Sequence, residues 1–182
     1  MLKWIIWGAL GFEILAGLPT IPKRLKSLKK GILGIKYLPI TLLVAIGSAT
    51  GMIFLSEILP FLKWGWLGYN FVLIPIEEAL DNSSFLWLVG GWIIIILVCF
   101  IANYWEEEEF RKNYYKVGMG AFLHLLMGIP LWGIVPVFLQ GVIYKYIYDK
   151  HSLDHAFVAH FATNLFIITI GLIPTLLYLN KS

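Results

Sequence analysis

Long runs of apolar residues, separated by short polar segments, dominate this chain of 182 residues. Most of them match the roughly twenty residues that an α-helix needs to cross about 30 Å of hydrocarbon. The runs cover about 4–21, 37–60, 85–105, 117–148 and 156–179. The pattern predicts an all-α, polytopic integral membrane protein that forms one transmembrane domain over residues 1–182.

The fourth run, 117–148, is too long for one ordinary crossing and contains Gly128 and Pro130 near its middle. Proline removes a backbone donor and clashes with the preceding helical turn. The run therefore predicts either one kinked helix or two short helices that meet near Pro130. A reversal there gives about six crossings, and an uninterrupted helix gives five.

Basic residues favour six crossings, because cytoplasmic loops carry an excess of Lys and Arg. The polar segment at about 22–36 is strongly basic, which predicts a cytoplasmic loop and an outside N-terminus. Its basic residues are Lys23, Arg24, Lys26, Lys29, Lys30 and Lys36. Six crossings then leave only Lys3, Lys63 and Lys181 outside, whereas five leave Lys3, Lys63, Lys145 and Lys150 outside. The outer loop would carry Glu77, Glu78 and Asp81.

Composition excludes several protein classes. The chain is 59% hydrophobic and 14% charged, with a mean hydropathy of +0.80, which is far from the balance of a soluble domain. Its single cysteine, Cys99, excludes a disulfide framework and a cysteine-rich metal site. The basic residues lie beside membrane segments, where they set orientation, so we predict no nucleic-acid partner.

An acidic cluster, 106–109, ends the third apolar run and is followed by Arg111. On a helix, Glu107 and Arg111 are four residues apart and can form an ion pair, while Glu106 projects about 100° away. One interpretation is a solvated helix end with one neutralised acid. The other is functional, because carboxylates at a membrane boundary often mark a site.

Two histidines and an asparagine strengthen the functional interpretation. His124 lies in an apolar helix, and His160 is four residues before Asn164, so the latter two share a helix face. With five crossings, Glu106 and His160 would lie roughly 20 Å or more apart, given a rise of about 1.5 Å per residue. A reversal at Pro130 brings them to the same face of the membrane.

These residues resemble the three-part signature of the CAAX protease and bacteriocin-processing family, also called the CPBP or Abi family. The matching motifs are Glu106-Glu107-x-x-x-Arg111, His124 in Phe122-Leu123-His124, and His160-x-x-x-Asn164. They cover about 106–164, within a motif-bearing core of about 85–179. The resemblance implies an intramembrane endopeptidase that acts on a membrane-associated or lipid-modified peptide close to the cytoplasmic face.

The resemblance also implies roles for these residues. Glu106 would act as the general base that activates a water molecule, and His124 would hold that water. The last motif, His160 with Asn164, would stabilise the tetrahedral oxyanion. The second glutamate and the arginine would be structural and orient the catalytic acid.

Two histidines and a glutamate are also a plausible zinc ligand set with water in the fourth position. The candidate ligands are Glu106, His124 and His160. Members of the family are described both as metalloproteases and as metal-independent glutamate proteases, and the residues alone leave both mechanisms open.

Two other functions fit the same residues. One is a non-catalytic immunity or peptide-binding membrane protein of the same fold. The other is a small carrier or channel in which acids and histidines relay protons or cations, although no duplicated halves of the kind found in inverted-repeat carriers are visible. The partners in all three cases are the lipid bilayer and a membrane-borne substrate or ion, and the pattern carries no sign of an oligomeric state.

Overall fold

The computed structural model describes residues 8, 11–12, 14–65, 85–126 and 128–179, with the side chains of all of these except 87 and 174–179. Within these ranges the chain forms helices and no strand. The all-α prediction is therefore confirmed. Part of the predicted first run, 4–21, and most of the predicted outer loop, including Glu77, Glu78 and Asp81, lie outside the described residues.

We number six α-helices in chain order. They are α1 (Ile21–Lys30), α2 (Leu38–Ile58), α3 (Phe85–Phe110), α4 (Tyr114–Leu126), α5 (Leu131–Lys150) and α6 (Leu153–Leu179), and 3-10 helices lie at Leu18–Thr20, Ile32–Tyr37 and Pro60–Lys63. In the described part of the chain, four segments are long and apolar enough to cross a membrane: Ile32–Ile58, Leu88–Phe110, Leu131–Lys150 and Leu153–Ile173. The protein is an all-helical polytopic membrane protein.

The predicted break near Pro130 is confirmed, and it separates two helices rather than kinking one. Gly128 has a φ of 87°, a left-handed conformation that glycine adopts without steric cost. Pro130 is extended and caps the start of α5. The chain then reverses, because Gly141 of α5 lies directly against Val117 near the start of α4. At 13 residues, α4 is about 20 Å long, which is shorter than the hydrocarbon core.

The basic segment 22–36 is not the loop that the sequence predicts. It forms α1 and the 3-10 helix Ile32–Tyr37, and both pack against α6. Arg24 and Ser27, three residues apart, form the buried face of α1. Gly31 and Gly34 allow close packing, because a Cβ at either position would overlap the backbone carbonyl of Asp154 or His155. An amphipathic helix therefore forms where the polar composition predicted a loop.

Helix α6 is central to the fold, since α1, α2, α3 and α5 all pack against it. On the α3 side, Phe100 and Tyr104 pack against Phe157. On the α5 side, Tyr144 and Ile147 pack against small residues at the start of α6. These contacts bring the end of α3, the end of α5 and the start of α6 to one end of the bundle.

Candidate active site

Glu106 lies near the end of α3 and faces two histidines from other helices. Its side chain is largely buried, with the residue 9% exposed. One carboxylate oxygen is 3.8 Å from Nε2 of His124, and the other is 4.0 Å from Nε2 of His160. The structure thus brings together three of the predicted site residues. The reversal at Pro130 makes this possible, and the predicted separation of 20 Å or more for a five-crossing chain does not occur.

Glu107 is fully buried, with an exposure of 0%, and has two charged or polar partners. The predicted ion pair with Arg111 is confirmed, with 3.0 Å between Nη2 and the carboxylate Oε1. The same oxygen is 2.8 Å from Nδ1 of His160. An ionised carboxylate only accepts hydrogen bonds, so Nδ1–H of His160 donates to Glu107. The supporting pair contacts and orients the histidine of the last helix.

This hydrogen bond decides how His160 is presented to the site. With Nδ1 bound to Glu107, the opposite ring nitrogen, Nε2, faces Glu106. A carboxylate behind an imidazole fixes both ring orientation and tautomer, as in many histidine sites. The two adjacent glutamates of α3 therefore contact the two nitrogens of one imidazole.

Tyr144 of α5 is a site residue that the sequence reasoning missed. Its ring stacks on the His160 imidazole, with 4.4 Å between centroids and a 20° angle between planes. The Arg111 guanidinium carbon lies 5.7 Å from the same ring centroid. Gly141, three residues earlier, allows α4 to pack closely on α5, since a Cβ there would lie 2.8 Å from Cγ1 of Val117, and Arg111 lies in ordinary contact distance of the same position. The Gly141–Tyr144 spacing on one helix face was the only sequence signal for this arrangement.

His124 is fixed through its other nitrogen. Its Nδ1 lies 2.8 Å from the backbone carbonyl oxygen of Gly120, an acceptor, so Nδ1–H donates, and Nε2 faces Glu106. Gly120 also permits α4 to approach the end of α3, because a Cβ there would lie 3.0 Å from the Phe110 ring. The glycine therefore brings His124 close to Glu106.

Asn164 contacts a second asparagine that the sequence reasoning also missed. Its Nδ2 donates to Oδ1 of Asn103 across 3.1 Å. Asn103 is 2% exposed, and its own Nδ2 has no hydrogen-bond partner within the described part of the chain. Because Asn103 is three residues before Glu106 on α3, it shares a helix face with the site. That spacing was a signal available in the sequence.

Glu108 and Glu109 are partly exposed and pair with lysines at the surface, as solvated neighbours of the site. Glu108 lies 3.2 Å from Lys23 of α1, and Glu109 lies 3.0 Å from Lys112. The hydrogen bond to Glu108, followed by a hydrogen bond to Tyr104, raises the pKa of Lys23 above its ordinary value. These pairs tie α1 and the α3–α4 connection to the end of α3.

No group of three or more His, Cys, Asp or Glu side chains among the described residues is arranged to hold a metal ion. The predicted zinc set of Glu106, His124 and His160 therefore does not form a metal-holding group here. His160 also presents one nitrogen to Glu107 and only the other to Glu106.

No family model, no curated protein and no solved structure matches this chain.

Proposed function

We propose that the protein is an intramembrane endopeptidase in which Glu106 activates a water molecule. The observation that carries the proposal is the gap of 3.8 to 4.0 Å between the Glu106 carboxylate and Nε2 of His124 and of His160. These distances are too long for direct hydrogen bonds and suit a bridging water. The resemblance to the CAAX protease and bacteriocin-processing family supports the same chemistry.

In the first step, the water donates one hydrogen bond to Glu106 and the other to Nε2 of His124. His124 can accept because its proton is on Nδ1, which faces the Gly120 carbonyl. Both hydrogens of the water are then held, and its lone pair points at the carbonyl carbon of the scissile peptide bond. Glu106 removes a proton as the oxygen attacks, which is general base catalysis.

The tetrahedral oxyanion that results needs donors. His160 can supply one from Nε2 when both of its ring nitrogens carry a proton. Glu107 holds Nδ1 on the far side of the ring, so Nε2 faces Glu106. A hydrogen bond from Nε2 would stabilise the oxyanion, an interaction often worth several kcal/mol.

The asparagine pair supplies further amide donors. Asn164 uses one of its two N–H groups on Asn103, and Nδ2 of Asn103 is buried without a partner in the described chain. An unsatisfied buried donor costs about 1–3 kcal/mol, a cost that a substrate carbonyl or oxyanion would relieve. In the last step, Glu106 returns its proton to the leaving nitrogen, the C–N bond breaks, and an acid and an amine are released.

Substrate access fits a membrane-borne peptide. An apolar groove of about 460 Å³ lies between α3 and α6 and includes Phe100, Phe161 and Leu165 in its lining. Phe161 and Leu165 directly follow His160 and Asn164 in the chain. Apolar walls offer no hydrogen bonds to an extended backbone, so the groove suits a hydrocarbon part of the substrate. The basic residues at this end of the bundle support a site near the cytoplasmic face.

The test compares membranes that contain the wild type, Glu106→Gln or Glu109→Gln by quantitative proteomics of peptide termini. Glu109→Gln is a matched control because it removes a neighbouring carboxylate from the same helix end. New termini should be present with wild type and Glu109→Gln and absent with Glu106→Gln. Purified protein should cleave a peptide that spans such a terminus, with activity reduced about 10²- to 10⁴-fold by Glu106→Gln.

Other outcomes would favour the other two functions. Full activity in Glu106→Gln would rule out the proposed base. Partner capture without cleavage, unchanged by Glu106→Gln, would indicate a binding protein, and an ion or proton flux in liposomes would indicate a carrier. A chelator arm tests metal dependence separately, because the proposed mechanism predicts unchanged cleavage after metal removal.

A further inference from the structure

Segment 21–37, which comprises α1 and the following 3-10 helix, has a buried side and a basic exposed side. Arg24 and Ser27 face the protein, and Leu28 packs against the α3–α6 core. On the side away from this buried face, Lys26, Lys29 and Lys30 are exposed, whereas Lys23 reaches Glu108 of α3. At 3.6 residues per turn, Lys26, Lys29 and Lys30 span about 100° of the helix circumference. Helix α1 therefore packs on the bundle end with a basic outer side.

Three lysines of this segment, Lys26, Lys29 and Lys30, differ from most other lysines in their pairing. Among the described residues, Lys63, Lys112, Lys116 and Lys145 pair with carboxylates, as does Lys23 within the segment. Within the same described ranges, Lys26, Lys29 and Lys30 have no carboxylate within salt-bridge distance. Three adjacent positive charges are thus left without an anionic partner from the described chain.

Large apolar side chains are exposed directly beside these charges. Ile32, Leu33 and Ile35 are 53%, 65% and 50% exposed, because Gly31 and Gly34 face inward against α6. The same residues are the first of the candidate span Ile32–Ile58, so a membrane crossing by that span would begin with them. Apolar residues next to lysines on one surface are typical of helices that lie in a bilayer interface.

We infer that segment 21–37 is a binding surface for anionic phospholipid headgroups, with Lys26, Lys29 and Lys30 contacting phosphates while Ile32, Leu33 and Ile35 enter the acyl region. Charge complementarity selects the lipid, because zwitterionic headgroups carry no net charge to balance three unpaired lysines. The surface is independent of the proposed peptidase activity. It makes the molecule sensitive to lipid composition on one side of the membrane.

The test uses the full chain purified in a neutral detergent. Phosphatidylglycerol and phosphatidylcholine are titrated separately, and the affinity is obtained from the rise in thermal unfolding temperature with lipid concentration. Phosphatidylglycerol should stabilise saturably and less at high salt, and phosphatidylcholine should stabilise much less. The variant K26Q/K29Q/K30Q should bind phosphatidylglycerol roughly 100-fold more weakly, at about five-fold per lysine.

Two control variants show whether the loss of binding comes from these three charges. K63Q/K112Q/K116Q removes the same number of charges from lysines that pair with carboxylates and should bind like the wild type. K26R/K29R/K30R keeps the charges and should also bind like the wild type. Equal weakening in the control triple, equal binding of both lipids, or an equal shift with millimolar inorganic phosphate would each overturn the inference.

Discussion

The two halves of the acidic cluster 106–109 behave differently although they are adjacent in sequence. Glu106 and Glu107 are buried, whereas Glu108 and Glu109 are partly exposed. The ion pairs Glu107–Arg111 and Glu109–Lys112 have the same length, 3.0 Å. Their lengths therefore do not show which pair contributes more to stability.

The difference in burial indicates which of the two ion pairs contributes more to stability. An exposed ion pair contributes about 0–1 kcal/mol, because water and salt screen it and two flexible side chains lose entropy. Breaking a buried pair leaves an uncompensated charge away from water, at a cost of about 3–5 kcal/mol. The same residue type is thus a buried ion-pair partner in one half of the cluster and a solvated helix end in the other.

The largest effect should follow from Glu107→Gln. This change leaves Arg111 buried without its carboxylate, so the free energy of unfolding should fall by about 3–5 kcal/mol. Equilibrium unfolding in mixed detergent micelles measures it. The double variant Glu107→Gln/Arg111→Gln removes the stranded charge and should recover part of the loss. A fall of less than 1 kcal/mol in the single variant would mean that the pair resembles an exposed one.

Tyr144 tests whether the buried half is also a positioning device. Tyr144→Leu removes the ring that stacks on His160, and misplacement of a catalytic group by about 1 Å can reduce the rate about 100-fold. We expect kcat to fall by about that factor with little change in KM, measured on a peptide identified by proteomics. Tyr144→Phe keeps the ring and should restore most of the rate. If Phe and Leu were equally inactive, stacking would not be the cause.

Substitutions in the exposed half of the cluster, Glu108 and Glu109, should have small effects on stability and activity. Glu108→Gln and Glu109→Gln each remove a surface ion pair, so each should lower the free energy of unfolding by at most about 1 kcal/mol. Peptidase activity should stay within two-fold of the wild type, about the size of a 0.4 kcal/mol change. The same micelle unfolding and cleavage measurements apply. A loss as large as that of Glu107→Gln would remove the distinction between the two halves.

The smallest predicted effect is a change in the pH dependence of stability, and it comes from His151, an exposed histidine between α5 and α6. The pKa of His151 lies below its ordinary value, first because of desolvation and then because of the nearby charges of Lys36, His155 and Lys150. The folded state therefore binds fewer protons than the unfolded state just below the ordinary pKa of about 6.5. Its contribution to stability is complete above that pH and declines as pH falls through the lowered pKa.

His151→Gln should reduce the loss of stability between pH 7.5 and pH 5.5, as measured by unfolding in micelles at both values. The variant keeps a polar side chain near the Tyr37 hydroxyl, which lies 2.6 Å from Nε2 in the wild type. Because the group is exposed, the change should be small beside that of Glu107→Gln. An unchanged pH dependence in His151→Gln would assign it to other groups.

Local patterns account for what the sequence predicted correctly. Apolar runs predicted the helices, Pro130 predicted the break, and the four-residue spacing predicted the Glu107–Arg111 pair. Each of these depends on residues close together in the chain. The basic segment 22–36 was predicted as a loop but forms α1 and a 3-10 helix. Its helical pattern was not recognised because lysines cover one side of α1 and its short buried face, Arg24 and Ser27, is polar.

The sequence by itself determined an all-helical membrane protein and the residues able to carry chemistry, since hydrophobicity and helical periodicity act locally. Only the tertiary structure decided which glutamate contacts which nitrogen of His160, that Tyr144 stacks on that ring, and that Asn103 joins Asn164. These contacts join helices distant in sequence, and their geometry depends on packing at Gly120 and Gly141. Burial, which sets the energy of a charge, is a property of the assembled bundle.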